Sequence, residues 1–459
     1  MSEATSPENI QTKPNFYKRL FQVMLPIVVS GVISSSLSLL DNLMVGSLGE
    51  TALSGVGLAG QFGFFEWMIV FGVCSGCSTF YAQFWGPKDL AGIRKTIGIN
   101  WCITVPVGIL FTLLSLLCPR FIMGLLTNIP ELIESGSVYL RFVCINFFAI
   151  GFCQPLYTSL KATQQTKIPM MISSSSFLID VILNYMLIFG KLGCPALGVK
   201  GAAIATAAAR AYEVVMLIIV VFVRQNMLAA PIKEFFSFSK DFARRVLRNT
   251  VTTTVNESLW GLATVTYSAI YGRLDISSYA AYQACSAIMD VFVTAGFACG
   301  DASLIFVGEA LGKNDKAEAK AITKRLIKTG IIFSSMIALI VIAVGPYMLP
   351  LFALTEVGMA KAKLVMLVRA CGVPFNVMIA MFISGIFRSG GDTRFAAITE
   401  ISTMYLIGIP CVYIAGLVIG LPVHLIILCS YIENVVKLSI CVGRYRSGKW
   451  LNNVIENMK

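Results

Sequence analysis

Apolar stretches long enough to cross a bilayer follow one another along almost the whole chain, divided by short polar turns. They fall at 20–45, 52–84, 93–118, 135–162, 168–192, 198–224, 247–271, 279–310, 321–350, 360–388, 394–418 and 421–443. About 20 consecutive apolar residues span a hydrocarbon core as a helix. The pattern therefore predicts an all-α polytopic membrane protein with twelve transmembrane helices, and it leaves no stretch for a soluble domain.

The twelve spans form two sets of six, because the chain repeats itself. Tyr271-Gly-Arg-Leu-Asp275 follows Val45-Gly-Ser-Leu-Gly49 at an offset of 226 (271 − 45), and Gly312-Lys-Asn-Asp315 follows Gly86-Pro-Lys-Asp89 at the same offset. Lys161-Ala-Thr-Gln-Gln-Thr166 returns as Arg388-Ser-Gly-Gly-Asp-Thr393 at 227 (388 − 161), and Gly190 meets Gly416. An even number of helices per half gives both halves the same orientation, so the repeats are parallel and related by an axis along the membrane normal. Such internal duplication is a mark of secondary transporters, whose sites lie between the repeats. The expected organisation is an N-terminal tail (1–19), a first lobe (20–224), a linker (225–246), a second lobe (247–443) and a C-terminal tail (444–459).

Composition agrees with a membrane class. Hydrophobic residues make up 56% and charged ones only 13%, against about 25% charged in soluble domains. The net charge of +12 suggests nucleic acid until the bases are placed. Most of the 36 Lys and Arg fall on alternate connections, including Lys88, Arg94, Lys95, Arg244, Arg245, Arg248, Arg388 and Arg444. That bias is a topology signal: it puts both termini in the cytoplasm and excludes a nucleic-acid reading. The polar first sixteen residues lack the apolar core of a cleaved signal, so the first span is expected to act as an uncleaved one. The linker carries Lys233, Lys240, Phe235, Phe236 and Phe238, which suggests an amphipathic piece on the inner leaflet. Cys74-Ser-Gly-Cys77 has no second pair and the single histidine, His424, ends a helix, so these read as packing and not as a metal centre. No phosphate-binding GxxxxGK[ST] loop occurs, so ATP is not a direct energy source and no cofactor is implied.

Function should show where charge lies inside the spans, since each such group costs about 2.5–3.5 kcal/mol on insertion scales. The intramembrane set is Asp41, Glu66, Asp180, Arg210, Glu213, Glu257, Asp290, Asp301, Glu400 and Glu433, with Arg141 and Arg369 expected to snorkel to the interface. Arg210 is the single deep base, and it reads as the partner of Glu213. The excess of acid suits exchangeable positive charge. Asp41 corresponds to Tyr267 in the repeat and Asp180 to Leu406 or Ile407, so both acids are private to the first half. Asp180 and Asn184 share one helix face. At about 1.5 Å per residue, Asp41 lies roughly 8 Å inside Gly46, Asn184 about 9 Å inside Gly190 and Thr206 about 8 Å inside Gly201. Asp41, Asp180, Asn184 and Thr206 thus make an all-oxygen site for a hard cation or a proton. In the second half, Asn256, Glu257 and Trp260 fit an aromatic cationic ligand, with Gln283 and Glu400 expected in the same cavity. Pro26, Pro106, Pro155, Pro374 and Pro410 are candidate hinges.

These residues resemble a known family. Leu40-Asp41-Asn-Leu-Met-Val-Gly46, Ala52-Leu-Ser-Gly-Val56, Lys161-Ala-Thr-Gln-Gln-Thr-Lys167, Leu183-Asn-Tyr-Met-Leu-Ile-Phe-Gly190, Gly201-Ala-Ala-Ile-Ala-Thr206, Ala280-Ala-Tyr-Gln283 and Gly385-Ile-Phe-Arg-Ser-Gly-Gly-Asp-Thr393 are similar to motifs of the multidrug and toxic compound extrusion (MATE) family. The ending Arg444-Tyr-Arg-Ser-Gly-Lys-Trp450 resembles a branch common in Firmicutes. The resemblance implies two six-helix lobes in a V and export of cationic or amphipathic drugs across the bacterial inner membrane. It implies exchange for Na⁺ or H⁺, with the first-lobe cation site on Asp41, Asp180, Asn184 and Thr206. Its partners would be small organic cations and the lipid bilayer, with no obligatory protein partner. Two departures stand out. Some members carry Asn then Asp on helix 5, where this chain has Asp180 then Asn184. A helix-10 acid of another branch is absent from Phe375-Asn-Val-Met378. The rival within the superfamily is a lipid-linked oligosaccharide flippase, whose cavity would be expected to be rich in Arg and Lys. A membrane enzyme or a channel finds no motif here.

Overall fold

The computed structural model describes residues 13–85, 88–312 and 315–451. The outer parts of both tails, and residues 86–87 and 313–314 of the repeated turns, lie outside the described residues. Among these the structure is helical throughout, with no strand. The first lobe holds α1 (Lys13–Gly46), α2 (Glu50–Trp85), α3 (Leu90–Leu117), α4 (Pro130–Val143, then Ile145–Ala162), α5 (Lys167–Phe189) and α6 (Val199–Val223). The second holds α7 (Lys240–Tyr271), α8 (Ile276–Gly312), α9 (Lys316–Leu351), α10 (Glu356–Phe387), α11 (Thr393–Val418) and α12 (Val423–Ser447). Among the described residues, nine helices are long and apolar enough to cross a membrane, and the two halves of α4 make a tenth. α1 and α7 complete the predicted twelve; α7 is made polar by a basic first stretch and by the run Thr250–Glu257. Leu117, Met171 and Leu406 stand on the outer surface, 67–75% exposed, where only lipid can cover them.

The duplication is legible in single hydrogen bonds. Leu48 N–H donates to Val45 C=O at 3.1 Å, and Leu274 N–H to Tyr271 C=O at 3.2 Å. Gln165 N–H donates to Leu160 C=O, and Asp392 N–H to Phe387 C=O, both at 2.9 Å. Between them Gln164 (φ 63°) and Gly391 (φ 71°) make the same left-handed turn; the glycine adopts it without the steric cost a Cβ brings. Asp89 and Asp315 both cap the following helix, accepting from Gly92 N–H and Glu318 N–H. The match fails at Gly416, which is buried inside α11, while the positive φ falls on Gly420. α11 contains two π segments, Met404–Gly408 and Ile414–Val418, and each wide turn consumes an extra residue.

The sharp bend is also not where proline suggests. α4 turns by 50° at Cys144, and its second half runs unbroken as helix through Pro155. Thr112 Oγ1 donates to the Cys144 carbonyl at 3.0 Å, and Thr104 Oγ1 to the Gly151 carbonyl that Pro155 leaves without a donor, at 2.8 Å. Neighbouring hydroxyls thus restore what each break removes.

The linker differs from expectation at its end and in its placement. Ser239 caps α7 by accepting from Phe242 N–H, so residues 240–246 already belong to that helix. Phe235 is buried between Trp101 and Phe222, at 5.2 and 6.1 Å between ring centroids, and Glu234 pairs with Arg94 at 2.8 Å. Met227, Ile232 and Phe236 face outward. At the other end, Trp450 is fully buried against Tyr445, and Arg444 grips Asp392 with two bonds of 2.7 and 3.0 Å. The start of the predicted tail is therefore part of the fold.

The lobes meet through α1 on α8 and α2 on α7, two pairings that the repeat exchanges. Small residues allow close approach: a Cβ on Gly76 would sit 2.6 Å from Thr250 Cα, and Thr253 Oγ1 donates to Gly72 C=O at 3.0 Å. Gln283 of α8 lies over Gly57 of α2, and these two are repeat mates (283 − 57 = 226). Equivalent residues in contact mark the pseudo-twofold axis. At the end of the molecule away from the termini the lobes are latched. The Glu50 carboxylate accepts from Ser277 Oγ (2.8 Å), Thr355 N–H (2.8 Å) and Thr355 Oγ1 (2.7 Å), all from the second lobe. Thr127 Oγ1 to Gly272 C=O (2.5 Å) and Arg273 to Leu125 C=O (2.9 Å) add to it. Inside the second lobe, buried Glu433 pairs with Lys437 one turn along α12 and accepts from the Tyr267 hydroxyl of α7. This gives Glu433, unassigned by sequence, a structural partner.

Two measurements follow from these contacts. Glu50→Ala should speed amide hydrogen exchange at Thr355 and around residues 272–278 while leaving α3 unchanged, with Glu50→Gln closer to the parent. Lys437→Met should destabilise by about 3–5 kcal/mol in detergent unfolding, by leaving Glu433 buried and uncompensated, and adding Glu433→Gln should recover most of the loss.

Candidate functional site

The first-lobe acids converge as their helix positions require. α5 ends at Gly190 in a left-handed cap, which sets Asp180 and Asn184 on consecutive turns of its buried face, 7% and 3% exposed. Asn184 Nδ2 donates to Asp41 Oδ1 of α1 at 3.2 Å, and Asp180 lies beside the same carboxylate. Thr206 of α6 and Tyr139 of α4 close the cluster. All five line a cavity of about 540 Å³. Among the described residues, Asp180 Oδ1 and Asn184 Oδ1 are buried with no hydrogen-bond partner. Next to them Arg210 is bound by Glu213 at 2.9 and 3.1 Å, so its charge is already answered. Two carboxylates and two unpartnered oxygens around a small space form a hard-oxygen set suited to a proton or an alkali cation. Unpaired, they would carry a buried charge that a membrane interior does not sustain.

A larger cavity of about 700 Å³ is lined mostly by the second lobe, with Trp67, Met68 and Phe71 of α2 as its first-lobe wall. Asn256, Glu257, Trp260 and Glu400 line it as predicted from sequence, together with Asp290, Asp301 and Glu433. Gln283 does not: it lines the first-lobe cavity, where it is the one second-lobe residue among the described lining. The reason is its position on the axis, facing the glycine of the other repeat. The bases also differ from expectation. Arg369 does not snorkel outward but turns into the cavity, donating to Ser286 Oγ at 2.6 Å and lying 5.0 Å from the Tyr282 ring centre. Lys437 and Arg388 line the same space, so Arg210 is not the single deep base. Asp301 faces this cavity, whereas Glu309 pairs with Arg19 across the lobes at 2.6 Å. Cys74 and Cys77 are buried beside Asn100 and Thr250. No group of three or more His, Cys, Asp or Glu residues placed to hold a metal occurs among the described residues.

Some lining residues carried no signal in the sequence. Tyr139 and Gln61 of the first cavity, and Tyr431 and Asn376 of the second, are uncharged and sit among apolar neighbours. A search for intramembrane charge passes them over. A hydroxyl or amide at the depth of Asp41 would have been the usable cue.

Relatives share this architecture at low identity. The chain is 22% identical over 413 residues to the probable multidrug resistance protein YoeA of Bacillus subtilis, covering 88% of each. It is 20% identical to the probable multidrug resistance protein NorM of Thermotoga maritima, over 87% of this chain and 86% of that one. Among solved structures it is similar to the inward-facing conformation of a multidrug resistance MATE family transporter of the MOP superfamily. The TM-score is 0.80 at 16% identity, over 93% of this chain and 98% of that one. The outward-facing conformation of such a transporter gives 0.70 at 17% identity, over 98% and 99%. These likenesses give the V-shaped, two-lobe, twelve-helix fold. The MatE family model matches residues 26–186 and 250–414, one stretch in each lobe, and the chain belongs to the MatE family of membrane transporters.

Proposed function

We propose that this protein is a multidrug-exporting antiporter of the bacterial inner membrane. It moves cationic or amphipathic organic compounds outward in exchange for Na⁺ or H⁺, with both termini in the cytoplasm. The observation that carries the reading is the Asp41–Asn184 contact beside Asp180, with two buried oxygens left without partners. The relatives' names as multidrug resistance proteins support the substrate class, and the distribution of Lys and Arg supports the orientation. The lipid-linked flippase reading is not favoured: the second cavity has three bases but five acids, Glu257, Asp290, Asp301, Glu400 and Glu433.

The mechanism follows from where the walls belong. The first-lobe cavity takes five of its helices from one lobe and Gln283 from the other, so a rocking motion changes its enclosure without moving its carboxylates apart. An ion that neutralises Asp41 and Asp180 then binds the enclosed and the open states with different affinity. That difference is the whole of the work it can do on the equilibrium between states. Drug in the second cavity biases the same equilibrium through contacts with α7, α8 and α10. Opening toward the outside requires release of Glu50 from Ser277 and Thr355.

Reconstituted vesicles with an imposed pH gradient, or separately a sodium gradient, test this through ethidium transport. One gradient should drive export, and Asp41→Asn should reduce the driven rate to the background of empty vesicles. Driven export that survives both Asp41→Asn and Asp180→Asn would remove the first-lobe site from coupling.

A further inference from the structure

The second-lobe cavity has two electrically different ends. Around Glu400 the charged neighbours are Lys437, Glu257, Arg388 and Glu433, and Lys437 is already paired with Glu433. Carboxylate exceeds base there, and Trp260 offers a ring face. Around Arg369 the surroundings are different. Its partners are a hydroxyl, Ser286, and a tyrosine face, Tyr282; among the described residues no carboxylate lies within ion-pair distance of it. The acid whose field reaches it is Asp290, one turn beyond Ser286 on α8.

Arg369 lies 13 residues into α10 from Glu356, about 20 Å along the helix, too deep to reach water outside the cavity. A guanidinium carries five N–H donors in a planar fork and stays charged. Ser286 takes one of them. Such a group, half-buried beside Tyr282 and Tyr431 and lining an open cavity, is satisfied by an oxyanion, most fully by a carboxylate or phosphate that accepts two parallel bonds. We propose that the Arg369 end of the second-lobe cavity is a subsite for an anionic group. The substrates it selects are zwitterionic aromatic amphiphiles, with the cationic group at Glu257 and Glu400 and the oxyanion at Arg369. This deepens the export reading above and rests on it. It assigns Arg369 a specificity-determining role: discrimination between a cation and the same cation bearing a carboxylate.

Tetramethylrhodamine, a zwitterion, and its methyl ester, a cation, differ by that single carboxylate. Equilibrium binding of each to the purified full-length protein in nanodiscs, read by fluorescence polarisation with no gradient imposed, isolates the subsite from coupling. The parent should bind the zwitterion at least as tightly as the ester. Arg369→Gln should lower the ratio of zwitterion to ester affinity by at least about tenfold, and Arg369→Lys should hold the ratio near the parent's. Glu257→Gln should weaken both dyes together. Because the readout is a ratio, partial loss of folded protein does not move it. An unchanged ratio in Arg369→Gln, or a parent that binds the ester alone, overturns the subsite and leaves the export reading standing. A parent that binds neither dye overturns both.

Discussion

A charge inside a bilayer has to be neutralised where it sits, and that constraint arranges the polar interior of this protein. Arg210 is answered by Glu213 and Lys437 by Glu433, each pair within one helix and nearly one turn long. Across the lobes, Arg19 meets Glu309 at the rim. Glu66 is fully buried and its carboxylate has no hydrogen-bond partner among the described residues; the other groups outside these pairs are Asp41 and Asp180 in one lobe and Glu257, Asp290, Asp301, Arg388, Glu400 and Arg369 in the other. They line cavities and not packed interfaces. Glu66 apart, each of these charges is either bonded to its opposite or faces a cavity.

The scaffold that holds these groups apart is a matter of close backbone approach. Gly72 and Gly76 let α2 lie on the threonines of α7, so that neither lobe needs large interlocking side chains to adhere. Adhesion of this kind tolerates small rotations, since few knobs must leave their holes. The latch adds a discrete set of polar contacts, where one carboxylate accepts three bonds from the opposite lobe.

Much of this was readable in the sequence, for a physical reason: span length, duplication and buried acid are each properties of residue type at a position. The twelve helices, the repeat registers around Val45 and Lys161, and the grouping of Asp41, Asp180, Asn184 and Thr206 in one cavity all follow from such properties. What escaped depends on direction. Arg369 has the length to snorkel, and only packing against Ser286 and Tyr282 turns it inward. Gln283 belongs to the first cavity because of where the axis falls, which no linear pattern records. The bend at Cys144 has no proline to announce it; a hydroxyl on the neighbouring helix takes up the strain. The start of α7 lies outside the apolar pattern and so reads as linker, although Ser239 already caps the helix.

The contact between Gly57 and Gln283 bears on how such a chain came to be. A half-length ancestor pairing with a copy of itself would place the same residue on both sides of the axis. Two glutamines there would collide, since each needs the room the glycine leaves, and two glycines would leave a hole in the wall of the first-lobe cavity. Joining the halves into one chain freed the two positions to differ, and with them Asp41 from Tyr267. The asymmetry between the acid-lined cavity of the first lobe and the larger cavity of the second is closed to a pair of identical halves and open to the fused chain.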